Sequence, residues 1–268
     1  MSIPNILSIA GVDPSGGAGV AADLKTFAAL GAYGMAAVTA VTVQNTRGVR
    51  GFELLAPAFV ADQIDAVFAD VRVDAVKIGM VGSAAIASAI AGVLGQREAR
   101  HIVLDPVMVA KGGDPLLDPD AVAAIRDRLV PLAEVITPNL PEAAVLLGTE
   151  EASDRTGMGA MARGLLALGP ASVLLKGGHL DGPEATDVYD DGEASEILTA
   201  TRIATKNTHG TGCTLSSAIA ALLPRHPRRE AIRQAKAYVT GAIRGADRLD
   251  VGSGHGPLDH GFGDRRET

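Results

Sequence analysis

Residues 207–217 read Asn-Thr-His-Gly-Thr-Gly-Cys-Thr-Leu-Ser-Ser and include the only cysteine of the chain. They stand where a polar loop gives way to an apolar run that predicts a helix. The first N–H groups of a helix lack internal partners and carry partial positive charge, so phosphate can bind there. Gly210 and Gly212 would let the backbone approach an anion, and the hydroxyls of Thr211 and Thr214 would add donors. An ordinary glycine-rich cap explains the segment equally well when the segment is taken alone.

Cys213 falls in the first turn of that predicted helix. The partial positive charge of a helix start favours the thiolate form of a cysteine. A thiolate at this point could accept a proton from a reacting group. The alternative is a small cysteine packed at the start of the helix.

Strands and helices alternate along the chain and would position this loop. Short apolar runs predict strands at 6–11, 36–43, 75–78, 102–105, 135–137 and 172–176. Apolar residues at helical spacing separate these runs, and Asp118-Pro119-Asp120 is a typical helix start. Such alternation predicts one α/β domain over 1–268, with a mainly parallel sheet covered on both faces. Asp191-Gly192 lies between two strand-like runs and predicts an antiparallel hairpin at one sheet edge.

Polar residues follow the predicted strands directly, which is where ligands bind in parallel sheets. Each of them is explained just as well by turn formation or helix capping when it is considered singly. Together they predict a site at one rim with the 207–213 loop. These residues are Asp13, Gln44, Asn45, Met80, Asp105, Asn139, Glu142, Lys176, Gly177, Gly178 and His179.

Composition narrows the partners and the compartment. The chain has 268 residues, of which 47% are hydrophobic, and a net charge of −7. The acidic balance disfavours nucleic acid and membrane surfaces as general partners. A single cysteine cannot form an internal disulfide, and no apolar run approaches the length of a membrane span, so we expect a cytoplasmic protein.

Three other site types are poorly supported. Gly17-Ala18-Gly19-Val20-Ala21-Ala22 fits a dinucleotide fingerprint, but the second strand ends in Gln44-Asn45 rather than in an acid that could bind a ribose. No G-x-x-x-x-G-K-S/T sequence is present, so a P-loop nucleotide site is not expected. His255, Asp259 and His260 lie in a glycine-rich tail without matching partners and are interpreted as structural or surface residues rather than metal ligands.

The combined motifs closely resemble the hydroxymethylpyrimidine/phosphomethylpyrimidine kinase (ThiD) family of the ribokinase-like superfamily. The resemblance covers nearly the whole chain, including the Gly-His-Gly-Pro tail. Its motifs are AGVDPSGGAG at 10–19, VQNT at 43–46, KIGM at 77–80, DPVMVA at 105–110, TPNLPEA at 137–143, KGGH at 176–179 and NTHGTGCT at 207–214. It implies a three-layer sandwich and MgATP-dependent phosphorylation of 4-amino-5-hydroxymethyl-2-methylpyrimidine, then of its monophosphate, in thiamine biosynthesis.

The resemblance also implies roles for the matching residues. The amide of Gln44 offers a donor and an acceptor that suit an aminopyrimidine edge. Cys213 would be the general base. The pocket for the ring would be completed by Gly11, Asp13, Met80 and Val107. ATP would be bound by Asn139, Lys176, Thr208, Gly210, Thr211 and Gly212, and of these Lys176, Gly210 and Gly212 would also take part in catalysis. The ligands of Mg²⁺ would include Asp105 and Glu142.

Two alternatives stay open at this point. Pyridoxal kinase acts on a similar hydroxymethylated ring, although Gln44 favours the pyrimidine. A ligand-sensing relative without catalysis is the second, and the intact loop counts against it. The resemblance further suggests a homodimer, and Lys111-Gly112-Gly113-Asp114 has a glycine where the family is expected to have serine.

Overall fold

The computed structural model describes residues 2–108, 117–178, 180 and 182–263. Three features of the sequence lie outside the described residues. They are the end of the DPVMVA motif at Val109 and Ala110, the departure at Lys111-Gly112-Gly113-Asp114, and His179.

A nine-stranded sheet in the order β3-β2-β1-β4-β5-β6-β7-β8-β9 forms the centre of the fold. The six strands from β2 to β7 in that order run parallel, while β3, β8 and β9 pair antiparallel to their neighbours. The strands are β1 (Asn5–Val12), β2 (Tyr33–Asn45), β3 (Gly48–Leu54), β4 (Ala75–Ile78), β5 (Ile102–Leu104), β6 (Val135–Ile136), β7 (Val173–Lys176), β8 (Glu184–Asp190) and β9 (Ser195–Thr201).

The predicted parallel centre and the Asp-Gly hairpin at one edge are confirmed. The strand β3 at the other edge was not predicted. Its sequence carries two glycines and two charged residues, and six of its seven residues are exposed, so it lacks the apolar alternation that marks a strand. Its pairing with β2 shifts register between Val43 and Gln44, which sets Gln44 apart from the regular ladder.

Eight α-helices are described. Several begin at a side chain that accepts a hydrogen bond from the first turn, as at Ser83 and Asp118, which explains why these helices start where the sequence suggests. The helices are α1 (Gly19–Ala29), α2 (Pro57–Asp70), α3 (Ala84–Gln96), α4 (Pro119–Ala124), α5 (Leu140–Leu147), α6 (Arg155–Leu166), α7 (Thr211–Leu222) and α8 (Arg228–Gly245).

Two apolar clusters cover the two faces of the sheet and make the fold a three-layer sandwich. One contains Ile64 of α2 and Ile90 of α3, together with Met158 of α6. The other contains Phe27 of α1 and Ile219 of α7. Each large side chain removed from water contributes roughly 1.5–3 kcal/mol, so the helices are fixed on the sheet and hold the loops at its rim in place. Met158 is fully buried in the first cluster.

Candidate active site

The first part of the site is a buried group of charges at the carboxyl ends of β5 and β7. Lys176 Nζ lies 2.9 Å from Asp105 Oδ1 and 3.9 Å from Glu142 Oε2. A Cβ atom built on Gly212 would lie 3.2 Å from the same Nζ. The structure therefore brings together four predicted residues, and we call Asp105, Glu142, Lys176 and Gly212 the phosphate side.

The charges of the phosphate side shift one another's pKa values. Burial opposes ionisation of both Asp105 and Lys176, but their mutual attraction outweighs it, lowering the pKa of Asp105 and raising that of Lys176. Lys176 therefore stays protonated and positively charged. Burial, opposed by the attraction of Lys176 and assisted by the negative charge of Asp105, raises the pKa of Glu142 to about 7. Glu142 can thus exchange its proton near neutral pH.

Asn139 and Glu142 form a capping box at the start of α5. The Asn139 side chain accepts from the Glu142 N–H at 2.8 Å, and the Glu142 carboxylate accepts from the Asn139 N–H at 2.8 Å. The three-residue spacing is explained by this reciprocal cap. A ligand role for Asn139 stays a prediction.

The 207–213 loop leads into α7 as predicted. Gly210 has φ +79°, and a Cβ atom there would collide with the carbonyl oxygen of Gly17, so the two glycine-rich loops meet backbone to backbone. The hydroxyls of Thr211 and Thr214, which were expected to donate to an anion, have other acceptors. Thr211 Oγ1 donates to the Thr208 carbonyl and Thr214 Oγ1 to the Gly210 carbonyl, both at 2.8 Å. Local turn closure uses these hydrogens.

The donors that α7 offers to an anion are backbone groups. The N–H groups of Gly212 and Cys213 lie in the first turn, where the helix supplies no acceptor. Gly212 also stands beside Lys176, which adds a full positive charge to the partial charge of the helix start.

Cys213 differs from expectation in its protonation. Its side chain keeps partial exposure, yet the atoms packed around the sulfur raise the pKa of the thiol above 9.0. The Lys77 ammonium lowers it by less, and Asp23 and Asp105 raise it further. The expectation of a thiolate favoured by the helix start is therefore wrong for the free protein, because desolvation outweighs the helix field.

A buried ion pair lies behind Cys213. Lys77 Nζ contacts both carboxylate oxygens of Asp23, at 3.0 and 2.9 Å, and both side chains are fully buried. The hydroxyls of Ser8 and Ser217 each donate to Asp23 at 2.6 Å. The pair was not predicted, although a lysine inside the apolar strand Ala75–Ile78 was a signal that a buried partner exists.

The second part of the site lies at the ends of β1 and β2. His209 Nε2 is 2.7 Å from Asp13 Oδ2 and 3.3 Å from Gln44 Nε2, and Gln44 Oε1 is 3.2 Å from Thr42 Oγ1. We call Asp13, Thr42, Gln44 and His209 the ring side. Burial raises the pKa of Asp13, but hydrogen bonds from His209 and Ser15 outweigh it and bring the pKa to about 2.

The other residues predicted to line the pocket for the substrate ring make fewer contacts with one another. A Cβ atom on Gly11 would lie 3.3 Å from Met80 Sδ, so these two are neighbours as predicted. Val107 is half-buried and follows Asp105, whose carbonyl accepts its N–H at 2.8 Å. Its contact with a substrate stays a prediction. Asn45 is exposed, and its side chain accepts from the Arg47 N–H within the β2–β3 turn.

The Gly-His-Gly-Pro tail is docked and links the end of β2 to the 207–209 loop. The His255 N–H donates to the Thr46 carbonyl at 2.8 Å. The Gly256 N–H donates to Asn207 Oδ1 at 3.0 Å, and the Gly256 carbonyl accepts from the His209 N–H at 3.0 Å. The tail therefore clamps the end of β2 to the 207–209 loop.

The carboxylates of the phosphate side suit Mg²⁺ that is shared with bound phosphates. Mg²⁺ commonly takes one or two carboxylates and completes its shell with phosphate oxygens and water. Glu142 is 4% exposed and has a raised pKa, so a cation would favour its charged form. Asp105 already accepts from Lys176 and from Thr137. Among the described residues, no three His, Cys, Asp or Glu side chains are grouped to bind a metal without such help.

The glycines of the dinucleotide-like fingerprint serve packing. A Cβ atom on Gly19 would collide with the Gly11 carbonyl, and one on Gly17 with the His209 ring.

His260 is buried, and its Nε2 lies 3.0 Å from Thr214 Oγ1. None of the helices in the described ranges combines the length and apolar composition needed to cross a bilayer.

Comparisons with known proteins identify the family of the chain. A family model described as phosphomethylpyrimidine kinase matches residues 13–259. The hydroxymethylpyrimidine/phosphomethylpyrimidine kinase of Escherichia coli is 52% identical over 257 residues, which is 96% of this chain and 97% of that protein.

Two solved structures share the fold. Phosphomethylpyrimidine kinase (thiD) from Clostridium difficile has a TM-score of 0.80 at 42% identity, covering 90% of this chain and 100% of that one. Pyridoxal kinase from Staphylococcus aureus in complex with AMP-PCP and pyridoxal has a TM-score of 0.91 at 34% identity, covering 100% of this chain and 97% of that one. The predicted ribokinase-like sandwich is confirmed.

Proposed function

The chain belongs to the phosphomethylpyrimidine kinase family, and from that premise we propose that it phosphorylates 4-amino-5-hydroxymethyl-2-methylpyrimidine with ATP and then phosphorylates the monophosphate to the diphosphate. These reactions belong to thiamine biosynthesis. One observation carries the proposal to this site: a single short loop serves both sides. His209 contacts Gln44, and three residues later Gly212 stands beside Lys176.

The transfer uses the groups of the phosphate side. The hydroxymethyl oxygen attacks the γ-phosphorus, a new P–O bond forms, and the bond to the ADP oxygen breaks. Lys176 and the N–H groups of Gly212 and Cys213 stabilise the charge on the phosphoryl oxygens, because they are fixed in place before the reaction. Bound Mg²⁺, held through Glu142 and the phosphates, would neutralise phosphate charge.

Cys213 takes the hydroxymethyl proton in this proposal. The thiolate accepts it, becomes the thiol, and returns the proton to water after product release. Because the pKa of the thiol is raised, only a small fraction is ionised at neutral pH. We therefore expect turnover to increase with pH.

A product assay tests the proposed function. Purified enzyme is incubated with MgATP and a panel of hydroxymethylated pyrimidines and pyridines, and the products are identified by mass. We expect the monophosphate and then the diphosphate of the aminopyrimidine. Absence of both, with ATP unconsumed, would contradict the proposal and favour the ligand-sensing alternative.

Pyridoxal kinase activity is the second candidate, since the Staphylococcus aureus pyridoxal kinase has a TM-score of 0.91 with this chain. The same panel decides. A higher kcat/KM for pyridoxal than for the aminopyrimidine would assign the enzyme to vitamin B6 phosphorylation. Gln44 favours the pyrimidine, because its amide matches an amino group beside a ring nitrogen.

The expected setting completes the proposal. Residues 1–268 act as one kinase domain, because the described strands form one sheet. A single cysteine suits the cytoplasm, and a net charge of −7 disfavours nucleic acid as a partner.

The homodimer in the proposal involves the β2–β3 edge. Val41 and Val43 lie on the same face of this edge and are 50% and 51% exposed, which leaves an apolar surface there. A second copy of the chain would cover it. Sedimentation velocity of the wild type and of Val43→Lys tests this, with a shift to monomer expected for the variant.

A further inference from the structure

The Gln44 amide lies between two polar partners. Its Nε2 is 3.3 Å from His209 Nε2, and its Oε1 is 3.2 Å from Thr42 Oγ1. A half-turn about the last carbon–carbon bond exchanges the amide nitrogen and oxygen while the amide stays in place. The two partners therefore decide which orientation is satisfied.

His209 requires an acceptor. Its Nε2 lies 2.7 Å from Asp13 Oδ2, and a carboxylate can only accept. Asp13 also accepts from the N–H groups of Ser15, Gly17 and Ala18 and from the Ser15 hydroxyl, as an ionised carboxylate does. The Nε2 of His209 must then carry a hydrogen and has no lone pair for a donor. The amide oxygen of Gln44 is the end that suits this nitrogen, because an oxygen can share the hydrogen that Asp13 accepts, whereas the amide N–H groups would face it without an acceptor.

Thr42 requires a donor. Its hydroxyl has one hydrogen and two neighbours, the Val12 carbonyl at 2.9 Å and the Gln44 amide at 3.2 Å. The carbonyl can only accept, so the hydrogen goes there. The hydroxyl oxygen then faces Gln44 as an acceptor, which suits the amide nitrogen. Both neighbours thus favour the same orientation.

We propose that Asp13, His209 and Thr42 fix the Gln44 amide with its oxygen toward His209 and its nitrogen toward Thr42, and that this orientation determines both the choice of ring and the way round it binds. The inference rests on the proposed function. An aminopyrimidine would donate from its amino group to the oxygen and accept from the nitrogen at its adjacent ring nitrogen. One lone pair of the oxygen and one hydrogen of the nitrogen remain for these contacts.

The orientation also directs the reactive arm. In 4-amino-5-hydroxymethyl-2-methylpyrimidine the amino group lies between the arm and the ring nitrogen. An amino group on the His209 side therefore places the arm on the His209 side of the ring, and His209 belongs to the loop that continues through Gly210 to Cys213. A reversed amide would place the arm on the Thr42 side.

The test compares two rings that differ in donor and acceptor order. The 4-oxo analogue presents an acceptor where the 4-amino substrate presents a donor, and a ring N–H where the substrate has a lone pair. Wild-type enzyme should prefer the amino ring in kcat/KM by about a thousandfold, since the wrong ring leaves polar groups unpaired. Thr42→Val and His209→Leu should each lower that ratio by about tenfold while the KM for ATP stays within twofold of wild type.

Matched variants keep the result specific. Thr42→Ser retains the hydroxyl and should restore the ratio. Thr26→Val removes a buried hydroxyl that donates to the Ala22 carbonyl within α1 and should leave the ratio unchanged. Melting curves establish whether each variant is folded. If Thr42→Val does not fold, the ratio measured for His209→Leu tests the proposal.

The failures are distinguishable. An unchanged ratio in the folded variants would overturn the orientation while leaving the proposed function intact. A wild-type enzyme that phosphorylates neither ring would overturn the proposed function and this inference with it.

Discussion

The two sides of the site are built from different interactions. On the phosphate side, Asp105, Glu142 and Lys176 are ionisable groups in buried surroundings, and they shift one another's pKa values. On the ring side, Gln44 is neutral and is held by hydrogen bonds, with the Asp13–His209 hydrogen bond behind it. The 207–213 loop contributes to both.

In the proposed reaction this difference separates two tasks. Phosphates are highly charged, so fixed charges stabilise the changing charge distribution during transfer. The ring is nearly neutral and must be distinguished from similar rings, so hydrogen bonds of fixed direction are more useful there. Changes on the phosphate side should therefore lower kcat, and changes on the ring side should alter the KM for the ring.

Lys176→Ala should give the largest effect. We expect kcat to fall about a hundred- to a thousandfold, because the charge beside the first turn of α7 is lost, while the KM for the aminopyrimidine changes by less than about threefold. Steady-state kinetics with both substrates varied measures this. Arg97→Ala removes an exposed cation paired with Asp65 on the helical layer and should match wild type. A rise in the KM for the ring at unchanged kcat would break the separation.

Cys213→Ala should reduce kcat by about a hundredfold and leave binding of the aminopyrimidine intact, because general bases typically contribute this much. Calorimetric titration gives the affinity, and a coupled ADP assay gives the rate. Wild-type turnover in this variant would remove Cys213 from the mechanism.

The pH profile sharpens the same assignment. In the proposed mechanism the active form of Cys213 is the thiolate, and the pKa of the thiol is raised, so the logarithm of kcat should increase with pH toward and above pH 9.0. The slope should approach one below the pKa, which is about tenfold per pH unit. In Cys213→Ala this limb should be absent. A limb that persists in the variant would belong to another group.

Gly254→Ala should give the smallest effect and should act on both sides together. The added methyl group would collide with the Thr46 carbonyl and lift the tail that clamps β2 to the 207–209 loop. We expect both KM values to rise about threefold, together with a fall in Tm of a few degrees. Gly261→Ala is the control, because a Cβ atom there meets nothing within 4 Å. A change in only one KM would mean that the tail serves one side.

The sequence allowed much of the fold to be predicted, because apolar runs and capping residues are local features. The strand order and the second antiparallel edge depended on pairings that no local pattern contains. Within the site, Asp105, Glu142 and Lys176 could be placed at one rim because each follows or ends a strand.

The contacts that orient the site could not be predicted in the same way. Asp13 and His209 are 196 residues apart, and Asp23 and Lys77 are 54 apart. Neither pair shows any spacing that a helix or strand would impose. The thiol of Cys213 was placed correctly at a helix start, but its protonation depends on burial and on the charges of Lys77, Asp23 and Asp105, which belong to distant segments.

The separation of the two sides is tested most directly by measuring both KM values in Gln44→Ala. We predict that the KM for the aminopyrimidine rises at least about tenfold, since a paired donor and acceptor are lost, while the KM for ATP stays within about threefold of wild type. Equal increases in both KM values, or a loss of kcat alone, would contradict the account.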